Sequence, residues 1–252
     1  MMRCDLSATP GWPMPTFVLA AGLGLVAALP LLLGAWFALR RRPSDRLVGL
    51  VAAFGAGALI SAVSFELVLD AVERGNPWAL GLSLAVGAIV YYAGDRYLSR
   101  RSESEATGAR GLAILMGAAL DGIPESFILG ISLAAGSGVS MPFFVAVIVS
   151  NLPEGMTSAA ELGGSSGYAD RHILLMWSVV VGVSAAAAGL GALVADVGPA
   201  ASAGAQSFAA GALLTMLIDD LVPEARERGG ISAGLAAVFG FAVAFALHQL
   251  GG

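Results

Sequence analysis

Two short stretches of the chain, Asp121-Gly122-Ile123-Pro124-Glu125-Ser126 and Ser150-Asn151-Leu152-Pro153-Glu154-Gly155, each set a Pro-Glu pair inside a long apolar run. Asp121 and Glu125 stand four residues apart, and Asn151 and Glu154 three apart, so on helices each pair shares a face. Carboxylates together with amide and hydroxyl oxygens are hard ligands suited to divalent cations. A proline inside a helix also removes one backbone hydrogen bond, which frees the carbonyl of Leu120 below Pro124 and that of Val149 below Pro153 as further oxygen. Asp121, Glu125, Ser150, Asn151 and Glu154 are therefore candidate metal ligands. Two other readings of the same residues stand beside this one: prolines that only kink the helices for packing, and protonated carboxyls acting as a proton relay.

The elements that must carry these residues are membrane helices. A mean hydropathy of +0.82, with 57% hydrophobic and 12% charged residues, is too apolar for a soluble globule of 252 residues. Eight windows have the roughly 20 apolar residues that a bilayer crossing needs. They run over 16–39, 47–72, 78–98, 111–135, 141–162, 172–195, 204–222 and 231–250, separated by joints rich in Gly, Pro, Ser and Arg. The chain thus reads as one transmembrane domain over 1–252, an all-α multi-pass protein with no soluble domain between spans. The single Cys4 offers neither an intrachain disulfide nor a thiolate cluster, so a metal site must use oxygen or the two histidines.

Basic residues orient the spans, because they collect in cytoplasmic loops. All are arginines. Arg40, Arg41, Arg42, Arg46, Arg96, Arg100, Arg101, Arg110, Arg171, Arg226 and Arg228 fall on one side of the eight-span arrangement, and Arg3 and Arg74 on the other. Both termini are expected outside the cytoplasm, in a cell inner membrane. The first span, followed at once by arginines, reads as a retained helix, with a cleaved signal the minor alternative. A net charge of −5 gives no reason to invoke nucleic acid.

Laying Phe54–Gly75 over Phe208–Gly229 without a gap gives 11 identities in 22 positions. The repeat aligns Glu66 with Asp220. The second span would cross outward and the seventh inward, so the two copies have opposite topology, as in transporters built from inverted repeats around a midplane site. The fourth and fifth spans echo each other through the Pro-Glu stretches, which gives a three, two, three arrangement. Glu66 and Asp70 lie late in an outward span; Glu161, Asp219 and Asp220 lie late in inward ones. These acids would form an outer vestibule and an inner exit, with Glu66, Asp219 and Asp220 as pathway residues; the plainer reading is interfacial acids reaching for water. His172 reads as an interfacial cap, His248 as facing headgroups, and the Tyr91-Tyr92 pair as interfacial anchors or packing.

With its doubled Pro-Glu helices and the Ala-Gly-Ala-Leu segments at 56–59 and 210–213, the sequence resembles the ZIP family of zinc and iron transporters. The resemblance implies eight spans, both termini outside, metal ligation by Glu125 and Glu154, and uptake of divalent ions (zinc, cadmium, manganese or iron) as substrate, with no organic cofactor and no catalysis. It departs from the family where Asp121, Gly122 and Ser150 stand at positions often held by His, Asn, and His or Gln. The stretch Ser184–Gly191 also lacks the acid that many relatives carry on helix 6. All-oxygen ligation shifts the expected selectivity from zinc toward a broader set of divalent ions. Partners would be lipid, the metal ions and at most a second copy of the chain. A ZIP-like protein that binds metal without transporting it, and an intramembrane aspartyl hydrolase pairing Asp121 with Asp219, are the alternatives.

Overall fold

The structure is a computed structural model and describes residues 14–41, 43–102, 107–135, 139–165 and 168–251. Arg3, Cys4 and Arg42 lie outside the described residues, as do the side chains of Arg74, Arg101, Arg110 and Glu161. Among the described residues all regular structure is helical: α1 (Thr16–Arg41), α2 (Asp45–Ala62), α3 (Leu69–Arg74), α4 (Pro77–Ser102), α5 (Thr107–Ala134), α6 (Met141–Ser165), α7 (Asp170–Ala195), α8 (Pro199–Met216), α9 (Val222–Gly229) and α10 (Ala233–Gly251). A π-helical segment, Val63–Val68, joins α2 to α3, and a second, Leu217–Leu221, joins α8 to α9.

Among the described residues seven helical runs are long and apolar enough to cross a membrane. The last, Pro199–Leu250, has 52 residues, far more than the roughly 20 of one crossing. It breaks at Gly230, whose φ of +64° only glycine adopts readily, and a short 3₁₀ turn over Gly230–Ser232 leads into α10, which packs back on α9 and α2. The helices outrun the apolar windows at several ends because local signals, not hydropathy, stop them. The Ser44 side chain caps α2 by accepting from the Leu47 N–H, and Asn76 Oδ1 accepts from the Trp78 N–H at the start of α4.

Helices meet through glycines whose missing side chains let backbones touch, the usual contact where lipid supplies no hydrophobic drive. A Cβ at Gly57 of α2 would lie 1.8 Å from the Ala237 carbonyl oxygen of α10, and one at Gly240 of α10 would lie 2.0 Å from that of Phe54. The same crossing is built between α8 and α4, where Gly211 meets Leu84 and Gly87 meets Phe208. Phe54 and Gly57 are the positions that the sequence repeat aligns with Phe208 and Gly211. A second crossing also occurs twice: Gly34 of α1 meets Leu152 of α6 and Gly155 meets Leu31, while Gly191 of α7 meets Phe127 of α5 and Gly130 meets Ala188. The two π segments fall at matched positions of the repeat, and each ends on an i→i+5 bond, Leu69 N–H to Ser64 and Val222 N–H to Leu217.

The two central helices match in a frame that differs from their shared motif. Through the crossings Gly130 answers to Gly155, which pairs Glu125 with Ser150; the motif instead pairs Glu125 with Glu154, about one turn further along α6. Because α5 and α6 run in opposite directions, Asp121 and Glu154 both stand one turn beyond Glu125 and Ser150, toward the same end of the bundle.

Candidate functional site

Both prolines sit inside unbroken helices, Pro124 within α5 and Pro153 within α6. At their level Glu125 is 1% exposed and accepts a hydrogen bond of 3.4 Å from Ser150 Oγ, which also reaches the Val147 carbonyl at 3.0 Å. Asn151 turns toward α1 and donates from Nδ2 to the Ala27 carbonyl at 2.9 Å. Around the Pro-Glu stretches three oxygens are buried with no hydrogen-bond partner among the described residues, Glu125 Oε2, Asn151 Oδ1 and Glu154 Oε1; elsewhere the same holds for Ser184 Oγ, Ser202 Oγ and Glu224 Oε1, the last ion-paired with Arg228. The three at the Pro-Glu stretches are acceptors, and buried acceptors left unmatched cost about 1–3 kcal/mol each.

One turn along, Asp121, Ser150 and Glu154 open onto a cavity of about 310 Å³. It runs between the second half of α4 and the second π segment, past Asp95, Ser99, Asp220 and Glu224. Five of its lining side chains are carboxylates and none is basic. An adjoining cavity of about 630 Å³ shares Ser158, Asp220 and Glu224 with the first and adds Asp45, Asp219, Glu227 and Arg228. Arg228 is paired there, with Asp45 Oδ1 at 3.0 Å and with Glu224 Oε1 at 3.0 Å.

Tyr91 of α4 joins the two groups of acids. Its hydroxyl is hydrogen-bonded to Asp121 Oδ1 and lies 3.0 Å from Asp220 Oδ2. A phenol has one hydrogen to give, so the trio is complete only when a proton or a cation is shared among the three groups. Of the two expectations for the Tyr91-Tyr92 pair, interfacial anchor or packing, Tyr91 fits packing, being 3% exposed within the main apolar core, and its hydroxyl in addition bridges two carboxylates, whereas Tyr92 is exposed. A signal existed in the glycine one turn earlier, Gly87, which marks the packed face of α4.

No family profile matches the chain, and a search of curated proteins finds no match either.

Of the expected site residues, Asp121, Ser150 and Glu154 share one cavity, Glu125 sits at its inner limit through Ser150, and Asn151 adds an unmatched oxygen on the side of α1. Asp220, expected as a pathway acid, stands beside Asp121 across Tyr91 and lines both cavities. Asp219 is exposed and lines the adjoining cavity, so the acid that shares a partner with Asp121 is Asp220. Glu66 lies in the first π segment, where its side chain meets His248 Nδ1 at 2.6 Å. His248 was expected to face headgroups; it pairs with Glu66 and stacks on Phe65 instead. Gln206 of α8 ties this region by donating to the Glu66 carbonyl and to Asp70 Oδ2, both at 3.2 Å. Among the described residues no three His, Cys, Asp or Glu side chains converge closely enough to hold a metal ion by themselves. A cation at the Pro-Glu level would therefore take one or two carboxylates and complete its shell with hydroxyl, amide or carbonyl oxygen.

Proposed function

We propose that this chain is a ZIP-like carrier of divalent metal ions across the cell inner membrane, toward the cytoplasm, by alternating access. In this reading it crosses the bilayer eight times, the long run after Pro199 counting as two crossings, with both termini outside the cytoplasm. Spans one to three and six to eight are inverted counterparts around the pair α5 and α6. The repeated crossings, Gly57/Gly240 with Gly211/Gly87 and Gly34/Gly155 with Gly191/Gly130, support that arrangement.

The observation that carries the functional reading is the unmatched set Glu125 Oε2, Asn151 Oδ1 and Glu154 Oε1, all acceptors, buried beside a cavity lined by five carboxylates and no base. A carboxylate at mid-membrane costs about 2.5–3.5 kcal/mol on insertion scales, so such a group is retained for a charge that visits it. Glu125, Ser150, Asn151, Glu154 and Asp121 would hold the ion in turn as it moves along the cavity. Hard oxygen ligation favours manganese, ferrous iron and cadmium at least as well as zinc. A carrier needs no catalysis and no resident cofactor, since the metal is cargo.

The test is metal flux into proteoliposomes holding the purified chain, comparing manganese, ferrous iron, cadmium and zinc. Flux by the wild type that disappears in Glu125→Ala/Glu154→Ala supports the reading. Folded wild-type protein that moves none of the four sinks it and leaves the second reading, a ZIP-like metal-binding protein without transport. That second reading draws on the lack of three converging acidic or imidazole side chains among the described residues.

A further inference from the structure

Three of the five acids of the central cavity come from helical elements that have no covalent reason to stay in register: α5 with Asp121, α6 with Glu154, and the π segment after α8 with Asp220; Asp95 of α4 and Glu224 of α9 are the other two. Asp121 and Asp220 carry like charge, and two carboxylates that close repel unless something stands between them. Tyr91 stands there. Its ring is buried on the face of α4 that Gly87 presses against α8, and its hydroxyl reaches Asp121 Oδ1 on one side and Asp220 Oδ2 on the other. The π segment contributes from its own side, because the extra residue per turn re-aims Asp220 relative to a regular helix.

We propose that Tyr91 is the positioning residue for cation release: it holds Asp220 beside Asp121, so that a divalent ion leaving the central carboxylates exchanges Asp121 for Asp220 within reach of one phenol oxygen. The inference rests on the carrier reading above. Tyr91 does not set affinity at the Glu125 and Ser150 level, which lies a turn away along α5. It sets how fast the ion passes from there into the acidic cavity.

The experiment uses the full chain in proteoliposomes, with manganese as the probe. Initial rates are measured across a range of concentrations for wild type, Tyr91→Phe, Asp220→Asn and the double variant, and equilibrium manganese binding is measured on the same preparations in detergent. Tyr91→Phe should lower the maximal rate about tenfold while leaving KM and equilibrium binding within about twofold. Because the two residues act through one contact, the double variant should be no slower than Asp220→Asn alone. A Tyr91→Phe rate equal to wild type overturns the assignment, and so do multiplying losses in the double variant or a loss of equilibrium binding that matches the loss of rate. A fall in thermal midpoint that accounts for the lost rate also overturns it, since Tyr91 would then be structural only. Wild-type vesicles that move none of manganese, ferrous iron, cadmium and zinc sink the carrier reading and remove the release step with it; where manganese fails and another of the four passes, the same comparison of variants is read with that metal.

Discussion

Replacing Gly211 with alanine puts a methyl group into the contact that holds α8 against α4. The new Cβ would lie 2.0 Å from the Leu84 carbonyl oxygen, 2.8 Å from its carbon and 3.1 Å from the Ala88 nitrogen. All three are backbone atoms, so no side chain can swing away. Ordinary contact begins near 3.4 Å, and the two helices must part by roughly 1 Å or more. Overpacking of this kind costs about 1–3 kcal/mol, against which alanine regains up to about 1 kcal/mol over glycine in a helix interior. The net expectation is a loss of about 1–2 kcal/mol. Gly182→Ala is the matched control, because a Cβ there meets nothing within 4 Å and only the helix-propensity gain remains. Thermal unfolding of both variants in one detergent should place Gly211→Ala below wild type and Gly182→Ala at or above it. Parting α4 from α8 also draws Tyr91, one turn after Gly87, away from Asp220, so metal flux should fall in Gly211→Ala and not in Gly182→Ala. Equal stability of the two variants would refute the claim that this crossing is a backbone contact.

Manganese at about a hundred times its dissociation constant should stabilise the wild type by about 2.7 kcal/mol; in Glu125→Gln/Glu154→Gln that shift should vanish, while the metal-free protein melts no lower than wild type because two buried charges are gone. A full manganese-induced shift in the double variant would move the site elsewhere. His248→Phe keeps the stack on Phe65 but removes the contact with Glu66, a pair in which the two side chains are 30% and 17% exposed; stability should change by under about 1 kcal/mol, and KM should fall as Glu66 is freed to attract cations, whereas a rise would make His248 an assisting ligand. Arg228→Ala releases Asp45 and Glu224 in the adjoining cavity, so cation binding there should tighten by less than about threefold at 0.15 M salt and by more at low ionic strength; an effect independent of salt would count against a purely electrostatic role.

The helices and the acids of the Pro-Glu stretches were legible in the sequence because apolar length and mid-span carboxylates are strong signals in lipid. The repeat of Phe54–Gly75 in Phe208–Gly229 was legible too, and its matched glycines turn out to make matched crossings. What could not be read was orientation about the helix axis. On α4, Tyr91 and Tyr92 are neighbours in an apolar helix with residues of similar character all round, and no periodicity says which of them points inward. Only the backbone contact at Gly87 decides it. His248 and Glu66 are 182 residues apart, and their meeting depends on how α10 folds back at Gly230, which sequence spacing does not encode. The shared Pro-Glu motif also misled in one respect. It suggested that Glu125 and Glu154 are equivalent, whereas the crossing glycines pair Glu125 with Ser150 and leave Glu154 a turn beyond.

That displacement bears on function. Two equivalent glutamates would face each other at one depth and define a single symmetric site. Offset by a turn, Glu125 and Glu154 form steps, with Glu125 and Ser150 at the level of the crossing, then Asp121 and Glu154, then Asp220 across Tyr91 and Glu224 beyond it. At the ends of this series Glu66 meets the His248 ring at one and Arg228 pairs with Asp45 and Glu224 at the other. The cavity between them is lined by five carboxylates and no basic side chain. A structural ion-pair network would put its positive charges where the desolvation cost is greatest, at the buried centre. Here Arg228 stands at the partly exposed end, where water already lowers the cost. The centre instead presents unmatched acceptor oxygens in steps, which is the arrangement a mobile cation would exploit: each position binds incompletely, so the ion is held strongly enough to enter and weakly enough to move on.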